Sequence, residues 1–190
     1  DGNDSFHVGD GNNTIDGGDG QDTLYYTSSD AAININLATN THTGGFADGD
    51  SITSVEVILG SEFNDVMTAG IDGVYFDGLS GDDILNGGDG NDDFHGNEGN
   101  DQLNGGNGAD FLSGGDGADT LNGNDGDDTI FGDLDFGSSS SVDIINGGAG
   151  DDLIRVTIDT AQTDIVDGGD DTDTVQLSSA LATNNTNLVD

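Results

Sequence analysis

The sequence predicts an all-β fold, a parallel β-roll in which short strands stack as a right-handed β-solenoid of half-coils. Three observations support this prediction. A nine-residue period runs without a slip from Gly60 to Phe131. Glycine accounts for 34 of the 190 residues, which is typical of repeated tight turns. Only 31% of the residues are hydrophobic, which is too few for a conventional globular core.

The repeat follows the pattern G-G-x-G-x-D-x-U-x, where U is a large apolar residue, and we number its positions one to nine. Complete copies begin at Gly17, Gly87, Gly105, Gly114 and Gly147. Copies with one substitution begin at Gly78, Gly96 and Gly123, and degenerate copies begin at Val8 and Gly168. Repetition on this scale predicts a solenoid rather than a globular chain.

Each nonapeptide is expected to form half a coil, with a turn followed by a short strand at positions seven to nine. Glycines at positions one, two and four supply the positive φ angles and the close backbone approach of a tight turn. Two nonapeptides complete one coil, so residues eighteen apart stack at the strand spacing of about 4.8 Å. The position-six aspartates then form two ladders, Asp92, Asp110 and Asp128 along one edge and Asp83, Asp101 and Asp119 along the other.

Charge is the second dominant feature. The chain has 39 acidic residues and a single basic one, Arg155, for a formal net charge of −38. Nucleic acid and anionic membranes are therefore excluded as partners, since both require a basic patch. Such a composition is also typical of intrinsic disorder, which is the alternative interpretation. The half-coils each bury one apolar residue, namely Leu85, Phe94, Leu103, Leu112, Leu121 and Ile130.

A core this thin needs a divalent cation as counter-charge for the stacked carboxylates. Carboxylate and carbonyl oxygens are the hard ligands that Ca²⁺ prefers. A glycine-rich turn exposes its carbonyls, so each ion can be shared by two stacked turns. The absence of cysteine excludes disulfides and thiolate metal sites. We therefore expect several Ca²⁺ ions as cofactors.

These nonapeptides resemble the repeats-in-toxin (RTX, hemolysin-type) calcium-binding family of large secreted bacterial proteins. The resemblance implies that position-six aspartates of repeats i and i+2, with turn carbonyls, coordinate each ion. The implied aspartates are Asp22, Asp65, Asp83, Asp92, Asp101, Asp110, Asp119, Asp128, Asp152 and Asp173. The implied carbonyl donors are Gly87, Gly88, Gly90, Gly96, Gly99, Gly105, Gly106, Gly108, Gly114, Gly115, Gly117 and Gly126.

Two repeats depart from this pattern. Position six is Asn13 in the repeat from Val8, and its amide oxygen could still bind a cation. Position six is Val74 in the repeat from Ala69, which has no ligating atom. A calcium ion that needs Val74 is expected to be missing or differently coordinated.

The repeats are interrupted, and the sequence divides into segments 1–25, 26–59, 60–131 and 132–190. Segment 26–65, which includes the insert 26–59, resembles an insert that recurs between repeat blocks of this family. The stretches 31–37 and 55–59 predict longer strands. Segment 132–146 has fifteen residues where nine would continue the register, and 156–167 has twelve. Both predict wider coils, so we expect one elongated domain over 1–190.

No catalytic motif is present, so the chain is predicted not to be an enzyme. The repeats favour a non-catalytic calcium-binding module that acts as folding trigger and spacer in a larger extracellular protein, such as an adhesin, surface-layer protein or toxin. An alternative is the accessory module of a secreted protease, lipase or polysaccharide-modifying enzyme. Direct ligand recognition by the roll surface or the insert is a third possibility, which would need an exposed aromatic or apolar patch.

Location is expected to be extracellular or at the cell surface. No apolar run approaches the length of a membrane span, so membrane insertion is not expected. The first residues show no signal segment, so we expect export without one. A larger parent protein is expected, and its binding partner is not specified by these residues.

Overall fold

The computed structural model describes residues 2–133, 141–158 and 164–179. Within these ranges it contains nineteen β-strands and one 3-10 helix, Gly45–Ala47, and no α-helix. The first strands are β1 (Ser5–His7), β2 (Thr14–Asp16), β3 (Thr23–Tyr25), β4 (Asn34–Asn36), β5 (Thr41–Thr43), β6 (Ser51–Thr53) and β7 (Val57–Leu59). The main repeat block contains β8 (Val66–Thr68), β9 (Tyr75–Asp77), β10 (Ile84–Asn86), β11 (Asp93–Glu98), β12 (Gln102–Asn107), β13 (Phe111–Asp116), β14 (Thr120–Asp125) and β15 (Thr129–Phe131). The last strands are β16 (Ile144–Ala149), β17 (Leu153–Ile158), β18 (Ile165–Asp170) and β19 (Thr174–Ser179).

The strands form two long sheets and one short pair. One sheet has nine strands in the order β1-β3-β7-β9-β11-β13-β15-β17-β19. The other has eight, in the order β18-β16-β14-β12-β10-β8-β4-β5, and β2 pairs with β6. From β7 onward, consecutive strands alternate between the two long sheets. Neighbouring strands are parallel except for β4 and β5, which are antiparallel. This arrangement confirms the predicted parallel β-roll.

The core lies between the two sheets, and in the main repeat block it consists mainly of the position-eight side chains. Leu85 pairs with Leu103 across neighbouring strands of one sheet, and Phe94 pairs with Leu112 in the other. All four side chains are fully buried. The rings of Phe76 and Phe94 stack with centroids 5.2 Å apart. Each half-coil of the main block therefore adds one large apolar residue to the core, as predicted.

Strands β11 to β14 are six residues long rather than the three expected from positions seven to nine. They continue into positions one to three of the next repeat. The reason is backbone pairing between coils, because the N–H at position three binds the position-two carbonyl one coil earlier. Glu98 N donates to Leu79 O at 3.0 Å, and Asn107 N donates to Gly88 O at 2.8 Å.

The insert widens the coils but does not contain the longer strands predicted at 31–37 and 55–59. Only the three-residue strands β4 and β7 form there. Each of these strands begins directly after a residue whose hydrogen bond joins one turn to a carboxylate of the neighbouring coil. Ile33 N donates to Asp65 Oδ1, and Glu56 Oε2 accepts from Asp22 N. The wider coils are confirmed, since these bonds join residues 32 and 34 positions apart.

The later coils are also wider, as predicted from segments 132–146 and 156–167. Asp119 N bonds a carboxylate 24 residues later, and Asp143 N bonds one 21 residues later. Strand pairing nevertheless continues through β16, β17, β18 and β19. The extra residues therefore leave the two sheets continuous, although 134–140 and 159–163 lie outside the described residues.

Candidate metal centre

The position-six aspartates form the two predicted ladders. Each carboxylate accepts, through Oδ1, the backbone N–H of the position-six residue one coil earlier. Asp92 N donates to Asp110 Oδ1 and Asp110 N donates to Asp128 Oδ1, both at 2.8 Å. On the other edge, Asp83 N donates to Asp101 Oδ1 at 2.8 Å. These bonds fix each carboxylate between two stacked turns.

The second carboxylate oxygen of most ladder members is buried and has no hydrogen-bond partner. Within the described residues, this holds for Oδ2 of Asp22, Asp83, Asp101, Asp110, Asp119, Asp128, Asp143 and Asp152. Each of these residues is at most 3% exposed. A buried carboxylate oxygen without a partner is costly, so the fold leaves a row of oxygens that require a cation.

Three of the ten predicted aspartates differ from the others, whose Oδ2 is buried without a hydrogen-bond partner. Asp65 Oδ2 accepts a hydrogen bond from Ser61 N at 2.6 Å, and Asp92 Oδ2 accepts one from Gly88 N at 3.1 Å. Asp173 is only half-buried, in the last described coil. These three carboxylates are therefore less suited to bind a cation than the others.

In the main repeat block, the first glycine of a repeat lies beside two oxygens that belong to different coils. A β-carbon at Gly105 would lie 2.8 Å from Gly123 O and would overlap Asp110 Oδ2. At Gly96 the same atoms are Gly114 O, 2.7 Å away, and a carboxylate oxygen of its own repeat. Glycine is required because any β-carbon would fill this space. The converging hard oxygens match the donor set of Ca²⁺.

Glycines at positions two and four have a different role, because their φ angles are positive. Gly106 and Gly108 have φ of 112° and 130°. Three residues that replace glycine at position two adopt the same conformation, with φ of 74° at Leu79, 75° at Asn97 and 77° at Asn124. The expectation of positive φ at position one was wrong, since these glycines serve close approach instead.

Ten of the twelve predicted glycines thus fall into two groups. Those at the oxygen pairs are Gly87, Gly96, Gly105 and Gly114. Those with positive φ are Gly99, Gly106, Gly108, Gly115, Gly117 and Gly126. The remaining two, Gly88 and Gly90, have no positive φ, and they pack against the degenerate turn at 69–74.

The turn at 87–92, in which Gly88 and Gly90 lack a positive φ, stacks on the repeat that contains Val74. The backbone N of Val74 donates to Asp92 Oδ1 at 2.8 Å, so Val74 occupies a position in the ladder but supplies an apolar side chain. On the same face, Gly88 N binds the other oxygen of Asp92. Asp92 Oδ2 therefore has a backbone hydrogen-bond donor. This exception lies next to the repeat from Ala69, whose position six has no ligating side chain.

Sequence reasoning missed several ladder members because their turns lack the glycine pattern. Asp143 is buried with an unpartnered Oδ2, and Asp164 Oδ1 accepts its N–H at 3.1 Å. Asp50 accepts from Asn13 N at 2.7 Å. The signal that could have found them is the D-x-U-x cadence, which Asp50, Asp143 and Asp164 all keep. Asn13 uses its side-chain amide as a donor to Gly11 O.

No group of three or more His, Asp or Glu side chains converges within the part of the chain that the structure describes. This follows from the ladder geometry, in which each turn contributes one carboxylate to an edge. A cation beside Asp110 would therefore depend on backbone carbonyls for most of its ligands. Such a mixed oxygen set suits Ca²⁺, which takes six to eight oxygen ligands.

Burial raises the pKa of five carboxyls in the main part of the ladders, and the charges of neighbouring carboxylates add to this effect. The pKa rises to about 8 at Asp83 and to about 7 at Asp119 and Asp143. It rises to about 6 at Asp101 and Asp110, although bonds from backbone N–H groups oppose the shift. Without a cation, the fold thus favours the protonated form of these carboxyls.

The metal-free protein should be more stable in acid than at pH 8. These carboxyls have a higher pKa in the folded chain than in the unfolded chain. Their contribution to folding stability is therefore complete below the ordinary Asp pKa near 3.8. It is lost as the pH rises through about 6 to 8. Circular dichroism in excess chelator should show strand signal falling between pH 5 and 8. Exposed carboxyls titrate near pH 4, so equal signal across pH 5 to 8 would contradict this assignment.

The outer face of the nine-stranded sheet carries a row of rings. Tyr75, His95 and Phe111 follow one another with centroids 5.2 and 5.5 Å apart, and Phe131 continues the row at 5.2 Å. The Arg155 guanidinium lies 4.9 Å from the Phe131 centroid. The four ring side chains are half-buried and contact each other across successive coils. The row therefore stabilises coil stacking.

Comparison with known proteins agrees with this geometry. The family model of the RTX calcium-binding nonapeptide repeat matches residues 1–29, 75–103, 104–137 and 139–155, more than half of the chain. No curated protein matches the chain. Among the described residues, no helix has the length and apolar character needed to cross a membrane.

Proposed function

The chain belongs to the RTX calcium-binding nonapeptide repeat family, and we propose that calcium drives its folding as a secreted module of a larger bacterial protein. The family is a structural calcium-binding module. The observation that carries the proposal is the row of buried Oδ2 atoms without partners. A bound calcium ion would supply two positive charges beside each pair of stacked turns.

The residues that would hold the ions are the position-six carboxylates and the turn carbonyls. At Asp110, for example, Oδ1 is held by the Asp92 N–H, and Oδ2 and the Gly123 carbonyl oxygen both lie beside Gly105. Asp101 has the same arrangement between Asp83 and Asp119. Because each carboxylate lies between two turns, we propose that it serves two ions, with weaker binding at Asp65, Asp92 and Asp173.

The module also acts as a spacer, in our proposal, with residues 1–190 forming one elongated domain. The nine-stranded sheet supports this, because it contains strands from β1 to β19 and hence from all four segments. Parallel strands add length along the sheet axis at about 4.8 Å per coil. A role outside the cell fits millimolar calcium, at which sites of the extracellular class bind.

Asp101→Asn tests the shared carboxylate. The amide keeps an oxygen to accept the Asp83 N–H but loses the charge, so we expect two sites to weaken at least about tenfold. At the calcium concentration that just saturates the wild type, equilibrium dialysis with atomic absorption should count two fewer ions. The control is Asp10→Asn, which removes the same charge from an exposed residue and should leave the count unchanged.

The outcomes separate the parts of the proposal. A loss of one ion in Asp101→Asn would contradict sharing between turns but retain calcium binding. An equal loss in Asp10→Asn would mean that net charge, and not the ladder, determines binding. A folded wild-type chain that bound no calcium at millimolar concentration would overturn the proposed function.

A further inference from the structure

We propose that Asp22, Glu56 and the backbone carbonyl of Ser54 form a further calcium site that joins the first repeat block to the insert. The site rests on the proposed function, since it uses the same ion. It differs from the repeat sites because one of its two turns, 54–56, contains no glycine and no nonapeptide. The ladder of hydrogen bonds, not the repeat pattern, reveals it.

The turn at 17–22 stacks directly on the turn at 54–56. Strand β2 pairs with β6 before these turns, and β3 pairs with β7 after them. Gly17 N donates to Thr53 O and Val57 N donates to Asp22 O, both at 3.1 Å. Six residues of one coil therefore face three of the next, with both ends in register.

The oxygens at this junction repeat the arrangement beside Gly105. A β-carbon at Gly17 would overlap both Ser54 O and Asp22 Oδ2. Asp22 is fully buried, and its Oδ2 has no hydrogen-bond partner. Ser54 thus presents its carbonyl where another coil presents that of a position-one glycine. An unpartnered, fully buried carboxylate oxygen and a backbone carbonyl oxygen beside the same glycine indicate a cation.

Glu56 takes the place of the position-six aspartate. Its Oε2 accepts the Asp22 N–H at 2.9 Å, as Asp101 Oδ1 accepts the Asp83 N–H elsewhere. Its side chain is one methylene longer than aspartate, which gives it the reach to cross from the shorter turn. Two carboxylates and a carbonyl, all hard oxygen donors from two coils, then lie at one junction.

The backbone of this turn is consistent with such a site. Ser54 has φ of 53°, a conformation that is unfavourable for a residue with a β-carbon. A cavity of about 490 Å³ adjoins the turn and is lined in part by Ser54, Val55 and Glu56. The cavity lies on the side of the turn that faces 70–74, and neither Gly17 nor Asp22 lines it, so the proposed site rests on the oxygens at the junction.

Glu56→Gln is the variant that tests this site. Glutamine keeps an oxygen to accept the Asp22 N–H, so the coil should fold while the charge is lost. The control is Glu62→Gln, which removes the same charge from an exposed side chain. With calcium alone as probe, at the concentration that just saturates the wild type, Glu56→Gln should bind one ion fewer and Glu62→Gln the same number. Amide hydrogen exchange in calcium should speed up at 17–22 and 54–57 only in Glu56→Gln.

An unchanged ion count and unchanged exchange in Glu56→Gln would overturn this inference while leaving the proposed function intact. The same loss in both variants would also overturn it, because a general charge effect would then explain the result. A wild-type chain without bound calcium would overturn the proposed function first, and this inference with it.

Discussion

Replacing Gly105 by alanine should lower the free energy of unfolding of the calcium-bound protein by about 3 kcal/mol. The new methyl group would lie 2.8 Å from Gly123 O and would overlap Asp110 Oδ2. Neither atom can move freely, because the carbonyl belongs to the backbone and the carboxylate is held by the Asp92 N–H. The variant should therefore lose a calcium site as well as stability.

Gly70→Ala is the matched control for this substitution. Its added methyl group would meet no atom within 4 Å, and its φ is not positive. We expect a change within about 0.5 kcal/mol, as for surface substitutions without a special role. Urea denaturation of both variants in saturating calcium gives the comparison. Equal stability of the two variants would show that close approach at position one is unimportant.

The repeated part of the fold could be predicted from the sequence because the nonapeptide fixes its own register. If one unit occupies half a coil, residues eighteen apart must stack, and the bond from Asp92 N to Asp110 Oδ1 joins residues 18 apart. The ladders, the thin core and the oxygen-rich turns all follow from that spacing. The local repeat pattern therefore predicts contacts between neighbouring coils, which a single sequence does not usually reveal.

The insert could not be predicted in the same way, because no repeat relates its residues to their neighbours in space. Asn13 N donates to Asp50 Oδ1, which is 37 residues away. The local sequence pattern around either residue does not predict this contact. Glu56 was read as part of a strand, although it ends a three-residue turn. Alternating apolar residues indicate a strand but do not show where its pairing begins.

The separate roles of the turn glycines were also beyond sequence reasoning. A positive φ and a missing β-carbon both select glycine, so Gly105 and Gly106 look equivalent in the sequence. Only the positions of neighbouring atoms show that Gly105 avoids a clash and Gly106 supplies a φ of 112°. Asn97 and Leu79 show the distinction, since position two tolerates a side chain at positive φ.

Removal of calcium should unfold most of the described β-structure at pH 8. The chain carries a net charge of −38, and the fold buries carboxylates such as Asp101 and Asp119 at about 1% exposure. Each ion that binds only the folded chain adds about 1.4 kcal/mol when calcium is about ten times Kd. Several such sites together equal the whole stability of an ordinary domain, about 5–15 kcal/mol.

Far-ultraviolet circular dichroism of the full chain, first in excess chelator and then in excess calcium, tests this account most directly. Magnesium at the same concentration is the control for ionic strength, because its small octahedral shell suits a flexible carbonyl site poorly. We predict a disordered spectrum in chelator at pH 8, a β-rich spectrum on addition of calcium, and no recovery with magnesium. A compact, β-rich chain in chelator at pH 8 would contradict calcium-driven folding.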